Sequence, residues 1–199
     1  MKYAIMLCVF VIAGCQNKKQ YNLGETDFQR KLNAEYKDAS TSPLKDEDIK
    51  TFNGLEFFPF DSSYIVTATL ELTPNSEFVP MKTTTSRISH KRIYGVLHFV
   101  LHGKKMELNI YQDKDLMTQE GLEDYLFLPF LDETSGEESY GGGRYIDAEI
   151  PEGNTMIIDF NKAYNPYCAY NDKYSCPIVP RENYLRTRIE AGVKVFKKY

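Results

Sequence analysis

A chain of 199 residues, 42% hydrophobic and 26% charged, is long enough to enclose one core within a single domain. Its formal net charge of -4 at pH 7 argues against a nucleic-acid-binding protein, which requires a clustered basic face, so no nucleic-acid partner is predicted. Fifteen tyrosines and twelve phenylalanines, without tryptophan, favour a β-rich interior packed by aromatic rings.

The N-terminal residues form an apolar run that follows one positive charge, Lys2, and ends in Ile12-Ala13-Gly14-Cys15. The run is shorter than the ~20 apolar residues that span a bilayer and has the dimensions of a secretory signal. Its end resembles the lipobox of bacterial lipoproteins, in which two small residues precede the cysteine that receives lipid. We predict lipidation of Cys15; the alternative is an ordinary signal peptide in which Cys15 is incidental.

This signal predicts how the chain is organised and where it is located. Residues 1–14 are predicted to be a lipoprotein signal peptide, residues 15–25 a polar tether, and residues 26–199 one globular domain. Gln16 stands where an inner-membrane retention signal would place an aspartate. We therefore expect a protein held by a lipid anchor in the bacterial cell envelope, in the outer membrane and facing the periplasm.

Two short helices are predicted before the strands begin. Thr26 and Gln29 have the spacing of a capping box, and apolar residues then recur every four positions, which predicts a helix over residues 27–39. Pro43, at a first helical position, predicts the start of a second helix, and Gly54 predicts its end.

From residue 64 the hydrophobic residues alternate with polar ones, which is the pattern of strands. No helix long enough for a parallel crossover separates the strands, which favours antiparallel pairing. The predicted fold is mainly β: an antiparallel β-barrel-like or strongly bent sheet with two short N-terminal helices. Ile93, Leu97, Phe99 and Leu101 are expected to share one face, and residues 102–104 to form a hairpin turn. The predicted strands are residues 64–73, 77–85, 93–101, 106–111, 126–131, 145–150, 155–160 and 187–196.

Three histidines, His90, His98 and His102, share one parity and so raise the question of a metal site. Residues four apart in a strand are separated by about 13 Å. One ion cannot be reached from both, because zinc–nitrogen bonds are about 2 Å long. Surface histidines on an exposed sheet face are therefore favoured, and no metal or cofactor is predicted.

Glycine, proline, cysteine, tyrosine and asparagine are concentrated between residues 140 and 192. The glycines at 141–143 allow close backbone approach, and Arg144 is suited to clamp an anion or a carboxylate. A phosphate-binding loop would need a helix directly downstream, whereas residues 145–150 alternate like a strand, so a nucleotide cradle is disfavoured. The alternative is a bulged entry into a strand, with Arg144 paired to an internal acid.

Cys168 and Cys176 are the only cysteines left if Cys8 is cleaved off and Cys15 carries lipid. An oxidising compartment favours a disulfide between them, with free thiols as the alternative. Such a bridge closes a short loop and would contribute about 2–3 kcal/mol. A metal site is disfavoured because no further Cys or His lies nearby, and a thioredoxin-like redox pair would be separated by two residues.

The same region resembles the domain-of-unknown-function family 1684. The resemblance extends to Ser42-Pro43-Leu44 and Phe57-Phe58-Pro59 and so covers nearly the whole mature chain. It implies a single bacterial domain that is often exported, and it supplies no activity and no catalytic residues. It is carried by Thr134-Ser135-Gly136, Tyr140-Gly-Gly-Gly-Arg144-Tyr145, Asp159-Phe160-Asn161-Lys162-Ala163-Tyr164-Asn165-Pro166, Cys168-Ala169-Tyr170, Cys176-Pro177, Glu182-Asn183 and Ala191-Gly192.

The leading function hypothesis is a non-catalytic binding or accessory domain of the cell envelope, because the polar residues between positions 140 and 192 include no recognisable nucleophile–base pair. Its partner would be an unknown small molecule or envelope component. One alternative is a hydrolase-type enzyme acting on envelope material, which requires these groups to converge in one cleft. Another is a conformational lock in a protein that acts through a protein partner. The candidate ligand-binding residues are Tyr140, Arg144, Asp159, Asn161, Tyr164, Glu182 and Asn183.

Overall fold

The computed structural model describes residues 24–196, which form two short α-helices followed by a sheet. The helices are α1 (Asp27–Lys37) and α2 (Asp46–Thr51). The strands are β1 (Ile65–Leu72), β2 (Val79–Lys82), β3 (Ile88–Leu101), β4 (Lys104–Asp113), β5 (Tyr125–Asp132), β6 (Arg144–Glu149), β7 (Thr155–Asp159) and β8 (Tyr184–Leu185). The sheet runs in the order β6-β5-β4-β3-β1-β7, with β2 added to β3 and β8 added to β5. It is antiparallel apart from the short β5–β8 pair and curls into a half-barrel, which confirms the predicted mainly-β fold.

One face of the sheet carries the main core. In β1, Val66, Ala68 and Leu70 are buried while the residues between them are exposed, as the two-residue period predicts. The β3–β4 hairpin turns where it was predicted, because His102 and Gly103 both have positive φ and Leu101 pairs with Lys104. We call this core the first cluster. Its members include Leu97, Leu101, Leu108, Ile110, Leu126, Leu128, Phe130 and Phe160.

A bulge in β3 changes which face of the sheet its odd-numbered side chains occupy. Ile93 pairs with Tyr111 and Gly95 pairs with Ile110, so β3 uses one residue more than β4 at this point. The inward side chains of residues 97–101 therefore lie in the first cluster, whereas Ile93 packs against a second cluster on the other face. The prediction that Ile93 shares their face was wrong because the bulge changes the parity. The second cluster consists of Met81, Tyr111, Phe127, Tyr145 and Val179.

The first helix is present with its capping box, and the second begins later than predicted. Helix α2 starts at Asp46 rather than Pro43, because the Ser42 hydroxyl donates to the Tyr36 carbonyl (2.7 Å) and accepts from the Leu44 N–H (3.2 Å). This buried turn occupies the segment before a helix can start. Neither helix within residues 24–196 is long and apolar enough to cross a membrane. Both pack on the C-terminal third through a third cluster formed by Tyr36, Leu44, Phe52, Leu55, Tyr170 and Val193.

The final predicted strand, residues 187–196, is wrong, because β8 ends at Leu185. Ile189, Ala191 and Val193 are fully buried at alternate positions, which is the pattern that suggested a strand. Their backbone groups bond to loop backbone and to buried side chains instead of to a strand. Val193 N–H, for example, donates to the Ala163 carbonyl over 2.9 Å.

Candidate functional site

Arg144, the predicted anion clamp, lies at the centre of a fully enclosed polar group. Its side chain and that of Asp132 are both 0% exposed, and Nη2 lies 3.1 Å from Asp132 Oδ1. The guanidinium also donates to the backbone carbonyls of Ile189 (2.8 Å) and Ala191. Burial lowers the pKa of Arg144, and the adjacent Asp132 carboxylate opposes that shift. The structure therefore shows the alternative considered above, in which Arg144 pairs with an internal acid.

Asp132 completes this group, which we call the polar latch and define as Arg144, Asp132, Thr134 and the backbone of Ile189 and Ala191. Asp132 Oδ2 accepts hydrogen bonds from the Thr134 N–H (3.0 Å) and the Ile189 N–H (2.8 Å). The latch fastens the C-terminal tail to β5 and β6 with side-chain bonds in place of strand pairing. This is why the tail alternates like a strand without being one.

The glycine run ahead of Arg144 serves the same close packing. Gly143 has a φ of +87°, a conformation that residues with a Cβ rarely adopt. A Cβ at Gly143 would lie 2.6 Å from the Phe130 carbonyl oxygen and 2.7 Å from Val179 Cγ2. The glycine therefore lets β6 enter the sheet directly beside β5, with Arg144 aimed into the core.

Asp159 and Asn161 lie together at the end of β7. Asp159 Oδ1 accepts from the Asn161 N–H (3.0 Å) and from Asn161 Nδ2 (3.0 Å). The Asn161 side chain bonds both backbone groups of Asp61, accepting from its N–H (3.1 Å) and donating to its carbonyl (2.9 Å). Asn161 thus ties the segment that enters β1 to the segment that leaves β7.

Asn183 is fully buried and joins the segment before β8 to strands β4 and β5. It accepts from the Asn109 N–H (3.0 Å) and donates to the carbonyls of Asn109 (2.8 Å) and Pro129 (2.7 Å). Its neighbour Glu182 is exposed. Within the described residues, the predicted candidates Arg144, Asn161 and Asn183 therefore bond to separate internal partners and are not brought into one cleft.

A different polar group reaches the surface on the face that carries the second cluster. Tyr125 and Tyr164 both donate their hydroxyls to Asp147 Oδ1, over 2.7 and 2.6 Å. Asp147 is exposed, and both tyrosines are half-buried. The sheet explains the meeting, because Tyr125 lies on β5, Asp147 on the adjacent β6, and Tyr164 next to β6 through its bridge to Tyr145. Of the seven predicted candidates, Tyr164 is the one that takes part; Tyr125 and Asp147 were missed.

The hydroxyls of this group are fixed as donors. Burial, and then the charge of Asp147, raises the pKa of both Tyr125 and Tyr164, so neither hydroxyl ionises near neutral pH. Tyr167 repeats the arrangement by donating to Glu35 Oε1 over 2.7 Å, and its pKa is raised by burial, by Glu35 and, more weakly, by Asp147. We call Tyr125, Tyr164, Tyr167, Asp147 and Glu35 the tyrosine face.

Cys168 and Cys176 are free thiols in the structure, so the predicted disulfide is not present. The two are neighbours nonetheless, because the Cys168 N–H donates to Cys176 Sγ over 3.2 Å. The predicted candidate Tyr140 lies beside them, with its hydroxyl 3.9 Å from Cys168 Sγ. The hydrogen bond from Cys176 outweighs burial and, with bonds from Tyr140 and Thr84, lowers the pKa of Cys168 to about 6. The hydrogen bond to Cys168 and burial raise the pKa of Cys176.

A buried ion pair, which was not predicted from the sequence, lies against the second cluster. Lys91 and Asp113 are paired with side chains only 5% and 9% exposed, and Lys91 Nζ lies 4.9 Å from the centroid of the Phe127 ring. Burial opposes ionisation of Asp113, but the hydrogen bond and charge of Lys91 outweigh it and lower the carboxyl pKa. Residues 88–91 do alternate between exposed and buried, but the buried positions, Ser89 and Lys91, are polar and hide the period.

A depression of about 670 Å³ lies farther along the same face, between β1, β3 and β4. His98 borders it and contacts Glu71 (3.1 Å) and Glu107 (3.7 Å). None of the predicted candidates lines this depression. Within residues 24–196, no group of three or more His, Cys, Asp or Glu side chains is placed to hold a metal ion.

Comparison with known proteins places the chain in a family without assigning an activity. A model of the protein family of unknown function DUF1684 matches residues 50–194, a range that includes the polar latch and the thiol pair. The chain is similar to an uncharacterized protein of Haloarcula marismortui with a solution NMR structure: the two are 33% identical, with a TM-score of 0.65 over 83% of this chain and 89% of that one. No curated protein matches the sequence. Because the family model covers more than half of the chain, the protein belongs to the DUF1684 family.

Proposed function

We propose that this chain is a lipid-anchored protein of the bacterial cell envelope, in the outer membrane and facing the periplasm. Its globular domain binds an envelope component or small molecule that carries a cationic group, and it does so without catalysis. The observation that supports this proposal is the exposed carboxylate of Asp147, held between the hydroxyls of Tyr125 and Tyr164.

The chemistry of the tyrosine face suits an ammonium or guanidinium group. Carboxylates accept charge-assisted hydrogen bonds from such groups, and tyrosine rings attract cations through their faces. Both tyrosine hydroxyls donate to Oδ1 of Asp147, so the lone pairs of Oδ2 retain acceptor capacity for a ligand. The buried ring of Tyr145 lies edge-on to the Tyr164 ring, with centroids 6.0 Å apart, and so supports Tyr164 beside the carboxylate.

The rival hydrolase hypothesis has less support. It needs at least two carboxylates, or a Tyr–Arg–Asp set, to converge in one cleft, yet Arg144 and Asn161 are committed to internal bonds. The tyrosines of the tyrosine face have raised pKa values, so they are poor general bases near neutral pH. Binding without turnover is therefore the better proposal.

The binding proposal is tested by calorimetry on the full chain in detergent. Pentane-1,5-diamine is the cationic probe, and pentane-1,5-diol is its neutral control. Asp147→Asn keeps an acceptor for the tyrosines but removes the charge, and we expect it to weaken diamine binding by about tenfold or more. Glu182→Gln removes an exposed charge outside the tyrosine face and should leave the affinity unchanged. Equal affinity for the diamine and the diol would contradict the proposal.

The anchor proposal depends on residues 1–15, which lie outside the described residues, and its support is the sequence pattern that ends at Cys15. The test is metabolic labelling with an alkyne-bearing fatty acid in a bacterial host. We expect the full chain to be labelled and Cys15→Ser to lose the label. The matched variant Cys8→Ser lies within the apolar run and should still be labelled. Labelling that survives Cys15→Ser would rule out this anchor.

A further inference from the structure

The loop between residues 168 and 176 places two thiols at different depths. Cys168 is half-buried, whereas Cys176 is 7% exposed. The Cys176 N–H donates to Thr84 Oγ1 (3.1 Å) and its carbonyl accepts from the Thr84 N–H (2.9 Å), which holds this cysteine against the end of β2. A reagent from solution therefore meets Cys168 first.

The surroundings of Cys168 suit a reactive thiolate. The Tyr140 hydroxyl lies 3.9 Å from its sulfur, and the Cys168 N–H donates to Cys176 Sγ over 3.2 Å. Hydrogen bonding from Cys176 and Tyr140 lowers the pKa of Cys168 to about 6, so that most of the thiol is ionised at neutral pH. Hydrogen-bond donors around one sulfur and a second thiol within reach of it are the two features of a dithiol redox site.

We propose that Cys168 and Cys176 form a dithiol site that reacts with external disulfides, with Cys168 as the attacking thiol and Cys176 as the resolving thiol. The substrate class is a disulfide of the form R–S–S–R, either of low molecular weight or on another protein. This site is independent of the proposed cation binding, because it uses neither Asp147 nor its tyrosine donors. It needs no sequence spacing of the thioredoxin type, since the fold places Cys176 Sγ 3.2 Å from the backbone nitrogen of Cys168.

The reaction balances in two steps. The Cys168 thiolate attacks one sulfur of R–S–S–R, a mixed disulfide Cys168–S–S–R forms, and the first RS⁻ leaves. Cys176 then gives its proton to solvent and attacks Cys168 Sγ, which forms the Cys168–Cys176 bond and expels the second RS⁻. The two cysteine sulfurs lose two electrons in total, and the external disulfide gains them.

The test uses the full chain with Cys8→Ser and Cys15→Ser, in detergent, and 5,5′-dithiobis(2-nitrobenzoate) as the disulfide. We expect release of two thionitrobenzoate ions per chain and a product lighter by two hydrogens, as an internal disulfide requires. Adding Cys176→Ser should stop the reaction after one ion, with the mixed disulfide retained on Cys168. Adding Cys168→Ser should slow the first release by about tenfold or more, because the remaining thiol, Cys176, is buried.

A second measurement uses the parent chain without further cysteine substitutions, so its result does not depend on whether a variant folds. Brief alkylation of the same parent chain with iodoacetamide, followed by peptide mass mapping, should label Cys168 well before Cys176. Tyr140→Phe should slow that labelling without changing the two-ion stoichiometry. A parent chain that ends with two mixed disulfides, or Cys176 labelled as fast as Cys168, would overturn the proposal.

Discussion

The polar latch and the tyrosine face both use strands β5 and β6, but on opposite sides of the sheet: Asp132 and Arg144 face one side, and Tyr125 and Asp147 face the other. In the latch, the side chains of Arg144 and Asp132 are 0% exposed, and they bond to each other and to the backbone of Ile189. In the tyrosine face, the central carboxylate of Asp147 is exposed, and only tyrosine hydroxyls are bonded to it in the described structure. The first arrangement holds the tail in place, and the second leaves acceptor capacity for a ligand.

This difference shows that a concentration of polar residues in a sequence does not by itself mark a binding site. Arg144 was the most attractive anion clamp in the chain, yet the fold uses it to satisfy backbone carbonyls that no strand reaches. A buried charge of this kind is destabilising when its partner is lost, whereas an exposed carboxylate can be altered at little cost to the fold. Substitutions in the two regions should therefore separate stability from binding.

The largest expected effect comes from breaking the latch. Arg144→Met leaves Asp132 buried without its partner, and we expect the free energy of unfolding to fall by about 3–5 kcal/mol. Chemical denaturation of the full chain measures this. Arg188→Met is the matched control, because Arg188 pairs with Glu137, Glu138 and Glu190 at the surface and its loss should be much smaller. Equal losses for the two variants would show that the latch is not a stabilising element.

A smaller loss is expected at the glycine that admits the latch arginine. Gly143→Ala forces a positive φ and a Cβ against the Phe130 carbonyl, which should cost at least about 1 kcal/mol. Gly153→Ala is the control, since a Cβ there has open space and no positive φ, and its effect should stay within about 0.5 kcal/mol. Thermal denaturation of both variants measures these losses of stability. If Gly143→Ala left the stability unchanged, β6 would have to shift away from β5.

The smallest effect on stability is expected on the tyrosine face. Tyr164→Phe removes one hydrogen bond to an exposed carboxylate, so the unfolding free energy should change by less than about 1 kcal/mol. Diamine affinity should nevertheless fall, because Asp147 loses one of its two positioning donors. Tyr184→Phe, an exposed tyrosine on β8, should change neither quantity. A large loss of stability in Tyr164→Phe would make the tyrosine face a second latch rather than a binding site.

The thiol pair predicts a pH dependence of the reactivity of Cys168. The alkylation rate of Cys168 should rise with pH, reach half of its maximum near pH 6, and level off once the thiolate predominates. Tyr140, Cys176 and Thr84 face this sulfur, and the charges of Arg87 and Asp172 act on Cys176 and Tyr140. Replacing Tyr140 with Phe should move the midpoint upward. A midpoint above pH 8 in the unaltered chain would contradict the donor arrangement.

The fold was largely predictable from the sequence, whereas the candidate site was not. The two-residue period in β1 and the His102-Gly103 turn are local signals, and both are present in the structure. The bulge between Ile93 and Gly95 changes parity without changing composition, so no periodicity predicts which face Ile93 takes. The tyrosine face depends on the meeting of Tyr125, Asp147 and Tyr164, which only strand pairing determines.

The most direct test of the division between latch and tyrosine face is a map of backbone amide chemical shifts of the full chain, titrated with pentane-1,5-diamine. We predict saturable changes centred on Tyr125, Asp147 and Tyr164, with the amides of Arg144 and Asn183 unaffected. Asp147→Asn should abolish these changes. Changes centred on Arg144 or Asn183, or an identical map with pentane-1,5-diol, would contradict the assignment of binding to the tyrosine face.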